Sequence, residues 1–159
     1  MDEDNNPDLI WRILDRVKVC MFVVRAGDRL GARPFQAKPD QQLGLIFFLI
    51  DADASALTDI EADPHVLLTF ADQGGNNYAT VEGEAEIIED RAKIEELWSP
   101  WAQAYWSGPE DPRVRLVAVR PDHGHYWDSP NAVVTSIAMV GAAIAGKPPK
   151  LGREGEVQM

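Results

Sequence analysis

Apolar and polar positions alternate along the chain in two distinct periods. Ile10, Ile13, Leu14 and Val17 return at helical spacing, and Asn6 followed by Pro7 supplies a cap and a first helical residue for them. Residues 19–25 are β-rich and end at Ala26-Gly27-Asp28, which predicts a hairpin into a strand over 30–37. Lys38-Pro39-Asp40 reads as a further turn. Residues 43–50 then form an apolar run bounded by turn residues, the mark of a strand covered on both faces. Directly after it, Asp51, Asp53 and Ser55 offer caps for a short helix through Leu57 and Ile60, stopped at Asp63-Pro64.

The second half continues in the same manner. A strand over 66–71 and a turn over 72–77 lead into residues 78–87. There Ala79, Val81, Gly83, Ala85 and Ile87 share one face, while Tyr78, Thr80, Glu82, Glu84 and Glu86 share the other, predicting a half-exposed strand. Asp90 starts a helix carrying Ile94, Leu97 and Trp98, followed by the aromatic residues Trp101, Tyr105 and Trp106. A loop over 108–112 precedes strands over 114–120 and 124–127, which Pro121-Asp122 separates. Asn131 is placed to cap a final helix over 133–145, and Gly146-Lys147-Pro148-Pro149 stops it. The organisation expected is one mainly β domain over 1–146, a small antiparallel barrel of six or seven strands with peripheral helices, and a loose polar tail over 147–159.

Composition narrows the partners. A net charge of −11 argues against nucleic acid and anionic membrane surfaces, which both require basic patches. No apolar run approaches the roughly 20 residues that span a bilayer. The start of the chain lacks the pattern of a signal peptide, and Cys20 stands alone, so neither a disulfide framework nor a thiolate metal cluster is expected. A cytoplasmic protein fits these features.

Chemistry concentrates at one junction. A buried strand feeding a helix start aims free N–H groups at one point, which suits an anion such as a phosphate, and Arg33 on the preceding strand adds a fixed positive charge. No nucleophile–base constellation assembles around Ser55, and no acid–base pair stands out, so no catalytic residue is nominated. His123 and His125 share one strand face, either as metal ligands or as an exposed pair; no third ligand is spaced to match, and no metal is expected. Of the five tryptophans, most read as core or interface packing, and Trp127 as the one nearest a ligand.

Several stretches together carry a resemblance. They are Gly31-Ala32-Arg33-Pro34-Phe35-Gln36-Ala37, Phe47-Phe48-Leu49-Ile50-Asp51-Ala52-Asp53, Tyr78-Ala79-Thr80-Val81-Glu82-Gly83, Ile94-Glu95-Glu96-Leu97-Trp98-Ser99-Pro100-Trp101 and Tyr126-Trp127-Asp128-Ser129-Pro130. In this order and spacing the chain resembles the general-stress-protein branch of the pyridoxamine 5′-phosphate oxidase-like flavin-binding split barrels. The resemblance implies a six-stranded antiparallel split barrel that forms a homodimer, with FMN in two equivalent interface grooves. It further implies that Arg33 reaches the flavin or its phosphate, that Phe35 and Gln36 flank the isoalloxazine, and that Ile50, Asp51 and Ser55 hold the phosphate. Asn77 and Tyr78 would lie beside it, and Trp98 and Trp127 would approach the ring from the partner subunit. The activity implied is that of a flavin-dependent oxidoreductase of unknown substrate, without the basic C-terminal segment of a true pyridoxamine phosphate oxidase.

The chain departs from that pattern at the phosphate anchor. Ile50, Ala54 and Ala56 stand where the family has a threonine, a serine and a lysine. A hydrogen bond to a charged group contributes roughly 1.5–3 kcal/mol, so losing two weakens FMN by about two to four orders of magnitude. Ser55 replaces one hydroxyl if the register slips by a residue, and Lys38 is the nearby candidate for the missing cation. Two other readings therefore stand beside the flavoprotein: a non-catalytic ligand-binding split barrel that has lost the anchor, and the same groove holding a flavin-like or tetrapyrrole group.

Overall fold

A computed structural model describes residues 6–130, 132–149 and 152–159. The first helix, α1 (Pro7–Val17), starts as its sequence predicts: the Asn6 side chain accepts from the Asp8 N–H at 3.1 Å. Its apolar stripe, from Leu9 to Leu14, is buried. Strands β1 (Val19–Ala26) and β2 (Arg29–Gln36) form the expected hairpin, turning at Gly27 with φ of 67°. Then follow β3 (Lys38–Asp40), β4 (Leu45–Asp51), α2 (Ser55–Ala62), β5 (His65–Asp72) and β6 (Asn77–Ile88). Helices α3 (Arg91–Glu96) and α4 (Pro100–Tyr105) lead into β7 (Val114–Asp128), α5 (Ala132–Ala145) and β8 (Arg153–Gln158).

All strand pairs are antiparallel, in the order β2-β1-β5-β6-β7-β4-β3. Strand β7 is long enough to hold two neighbours on one edge, with β4 along 114–119 and β8 along 123–128. The mainly β split-barrel class is as expected, but the described residues form eight strands rather than six. Lys38-Pro39-Asp40 is not a turn. It forms a three-residue strand at the sheet edge, where a proline removes no needed N–H. Pro121-Asp122 does not break β7 either, because the register shifts between Glu82 and Gly83 and absorbs the extra residue as a bulge. A side chain at Gly83 would collide there with the Arg120 carbonyl. The tail expected to be loose instead supplies β8, with Val157 buried beneath it. The cap expected at Asn131 lies outside the described residues.

Two apolar clusters explain the long hydrophobic run of β4. Ile46, Phe48 and Ile50 point into the barrel with Phe22, Leu68, Phe70 and Tyr126, and α1 covers that core. Phe47 points outward with Leu116 and Ala118, where Ile94 and Trp106 from the α3–α4 segment cover it. Cys20 belongs to the inner cluster, and burial pushes its thiol pKa up to about 12. Among the described residues no helix is long and apolar enough to cross a membrane.

Candidate functional site

The barrel is split where β2 ends opposite the C-terminal end of β4. There a groove of about 470 Å³ opens, within the range typical of ligand pockets. Phe35 and Gln36 form one side, and Ile50 and Asp51 the other. Phe35 is fixed by an edge-to-face contact with Phe22 at 5.5 Å, which in turn meets Phe48 at 5.0 Å. Lys38 enters the groove from β3, and burial, aided by the charge of Lys18, lowers its pKa. No carboxylate pairs with it among the described residues.

The third wall is aromatic. Trp101, Tyr105 and Trp106 close the groove from α4 and its C-terminal cap. This wall is tied to β4 by one carboxylate, for Asp51 Oδ2 accepts from Trp106 Nε1 at 3.1 Å while its Oδ1 accepts from the Asp53 N–H at 3.0 Å. The Asp53 N–H first, and the indole second, hold the Asp51 pKa below the usual carboxylate range. Behind it, the nearly buried Asp111 gathers Arg113 and the Ser107 N–H and hydroxyl, which fixes the loop following Trp106.

At the groove's end α2 begins. Its cap is Ala54, not Asp51, Asp53 or Ser55, and no side chain closes the first turn. Asp51 instead makes a local turn to Asp53, and Ser55 is the first helical residue. The Arg33 guanidinium donates to the Ser55 hydroxyl. A helix N-terminus carries partial positive charge, this one has no acidic residue in its first turn, and Arg33 adds a full positive charge without an ion pair among the described residues. Such a convergence is relieved by an anion. Ile50 and Ala56 are buried, so the positions where the resemblance asks for threonine and lysine point into the protein. The anion donors that remain are Arg33, Ser55 and the free N–H groups of α2. With the aromatic-walled groove beside them, these residues fit a planar ring ending in an anionic group.

Of the ten residues nominated from sequence, Phe35, Gln36, Ile50 and Asp51 line this groove, and Arg33 and Ser55 do not line it but meet each other at the start of α2, next to the lining residue Ala54. The other four lie elsewhere in the chain. Tyr78 and Trp127 stand opposite each other on β6 and β7, and the ring of His125 stacks on Trp127 at 4.2 Å. They lie toward the far end of β7 from Val114 and Arg115, the residues that pair with Asp51 and Ile50 of the groove. Asn77 is 6% exposed, and its Oδ1 has no partner among the described residues. Trp98 packs against the outer cluster and donates to Gln103. Sequence reasoning gave Trp98, Trp101 and Trp106 to core or interface packing and assigned Tyr105 no role. Their signal was the i, i+4 spacing of Trp101 and Tyr105 on one short helix, without any hint of what that face meets. His123 and His125 engage Asp122 and Glu154, and no three potential ligands converge on a metal site among the described residues. A larger depression of about 660 Å³ lies at the far end of the sheet, where Arg25 and His65 already pair with Asp63.

Comparison with known proteins follows this architecture. The model of the family described as pyridoxamine 5′-phosphate oxidase like matches residues 5–150. A curated relative, protein bli-3 of Neurospora crassa, is 27% identical over 122 residues, which are 70% of this chain and 58% of that protein. The chain thus spans little more than half of that relative's length. A solved structure designated general stress protein 26 from Jannaschia sp. CCS1 superposes with a TM-score of 0.76 at 24% identity, over 96% of this chain and 98% of the other. The general stress FMN/FAD binding protein of Xanthomonas citri gives 0.67 at 24% identity, over 76% and 86%. With the family model matched over nearly its whole length and the split barrel in place, this chain belongs to the pyridoxamine 5′-phosphate oxidase-like family.

Proposed function

We propose that the protein is a homodimeric FMN-binding flavoprotein of the cytoplasm, acting as an oxidoreductase on a small molecule. The observation that carries this reading is the unpaired Arg33 joined to Ser55 at the uncapped start of α2, directly beside an aromatic-walled groove. Arg33, Ser55 and the α2 N–H groups hold the phosphate. Phe35 and Gln36 support one side of the ring, Trp101 and Tyr105 shield it from water, and Lys38 places a positive charge in the same groove. Bound FMN supplies hydride or electron transfer, and the protein supplies binding and electrostatics. Tyr78 and Trp127, remote from the groove of their own protomer, belong to the groove of the second copy.

Titration with FMN, followed by quenching of flavin fluorescence, tests this. Arg33→Ala is expected to weaken binding about 10- to 150-fold, the range for one hydrogen bond to a charged group. An unchanged dissociation constant removes Arg33 from the site. The buried Ile50 and Ala56 favour a second reading, a split barrel that binds a different flat anion without turnover. Protein that shows no thermal shift in millimolar FMN selects that reading.

A further inference from the structure

Helix α5 presents a surface unlike the rest of this acidic chain. Its 14 residues carry no charge, and Ile137 and Ile144 are 69% and 83% exposed, with Met139 and Val140 also turned to solvent. A helix apolar on most sides is normally covered. It is not a loose tail, since both flanking strands pair with each other from His123↔Gln158 to Asp128↔Arg153. Its base is also pinned, because Asn76 Nδ2 donates to the Pro130 carbonyl and the Thr135 hydroxyl at 3.3 and 3.2 Å. The arm is therefore held out at a set place beside β7 and β8.

A bilayer is a poor cover for it. Fourteen residues rise about 21 Å, short of the ~30 Å hydrocarbon core. Helices that lie on membranes carry basic residues along the polar face, and α5 has none. The complementary surface is on the chain itself. Because Cys20, Phe22 and Val24 point inward, Val19, Met21 and Val23 point outward, opposite Gln36, Pro34 and Ala32 on β2. From Val19 to Val23 this strip is also uncharged, and beyond it Leu30, 72% exposed, stands opposite Arg25, which pairs with Asp63. Within one protomer β5, β6 and β7 stand between the strip and α5. Two matched apolar surfaces on one chain, too far apart to meet each other, are satisfied by a two-fold axis that exchanges them.

We propose that α5 is an exchanged arm, lying across the β1–β2 outer face of a second copy of this chain. Val19 and Pro34 line both that face and the groove, so the partner's arm supplies the groove's outer wall and the site is complete only in the dimer. The proposal rests on the homodimeric reading above, but it needs no flavin.

The test uses the full chain without added FMN. Analytical ultracentrifugation of the wild type is expected to show a dimer, and Ile137→Glu with Ile144→Glu to weaken it about a hundredfold, as loss of a central apolar anchor does. Both side chains are exposed, so far-UV circular dichroism should not change. In a second measurement, Met21→Cys chains are mixed with Val140→Cys chains and oxidised. Disulfide-linked dimers are expected from the mixture and not from either chain alone. A dimer indifferent to the two glutamates overturns the proposal, as does linkage within Val140→Cys alone, which would mean arm-to-arm contact. A wild-type monomer overturns it too, and binding of that monomer to phosphatidylcholine vesicles would assign α5 to a lipid surface instead. FMN binding by a monomer would sink the arm and spare the flavin site, whereas a dimer that passes both measurements yet takes up no FMN on titration would do the reverse.

Discussion

Asp51 joins two walls of the groove through one carboxylate, taking the Trp106 indole on one oxygen and the start of the turn into α2 on the other. Asp51→Ala is expected to release Trp106, seen as a loss of near-UV circular dichroism and weaker FMN binding. Asp51→Asn keeps an acceptor and should retain most of both signals. Equal behaviour of the two variants would show that the indole is held by packing alone. Lys38 gives a pH signature whose sign is fixed. Its folded-state pKa lies below the ordinary 10.5, so between those values the unfolded chain binds more protons and stability rises with pH. Lys38→Met removes that rise, and thermal melts of both proteins from pH 7 to 10.5 measure it. The same deprotonation removes the charge that attracts an anion, so FMN affinity of the wild type should fall across that window. None of this pairing was legible in the sequence. Asp51, Trp106 and Asp111 are separated by loops, and only the folded chain shows which carboxylate serves which donor.

At the scale of elements, α2 begins under-capped. Ala54→Ser would supply the missing acceptor for the first turn and is expected to stabilise the protein by about 1 kcal/mol, readable as a raised denaturation midpoint. Because Ala54 also lines the groove, the new hydroxyl should tighten FMN binding. A lysine at Ala56 would enter a buried site, so the family's own anchor cannot be rebuilt there without cost. Strand β4 was readable because both its faces are covered, leaving an unbroken apolar run. Strands β3 and β8 were not. The first is three residues carrying a proline, and the second turns only Gly155 and Val157 inward, so neither shows a period of its own. Their place comes from the edges of β4 and β7, which is tertiary information.

For the whole molecule, closure depends on β7 accepting two neighbours along one edge, and β8 is the later of these in the chain. Val157→Ala is expected to cost roughly 1.5–3 kcal/mol, and a lowered melting temperature would report it. An unaltered melt would show that β8 is peripheral to the barrel. Family and fold class were legible from five short stretches in register, since these repeat the turns and buried faces that the barrel needs. The distribution of the site was not, because order along a chain carries no distance: Tyr78 and Trp127 pair with each other toward the end of β6 and β7 away from the part of β7 that pairs with the groove's β4 wall. One buried feature limits what the molecule does with electrons. A thiol reacts as its thiolate, and at neutral pH Cys20, with its pKa near 12, is almost wholly protonated and out of reach of solvent. The chain has no second cysteine with which to close a disulfide, so peroxide or a thiol oxidant would find no reactive sulfur of the cysteine kind. The oxidoreductase role proposed above therefore draws nothing from cysteine chemistry and rests on the flavin alone.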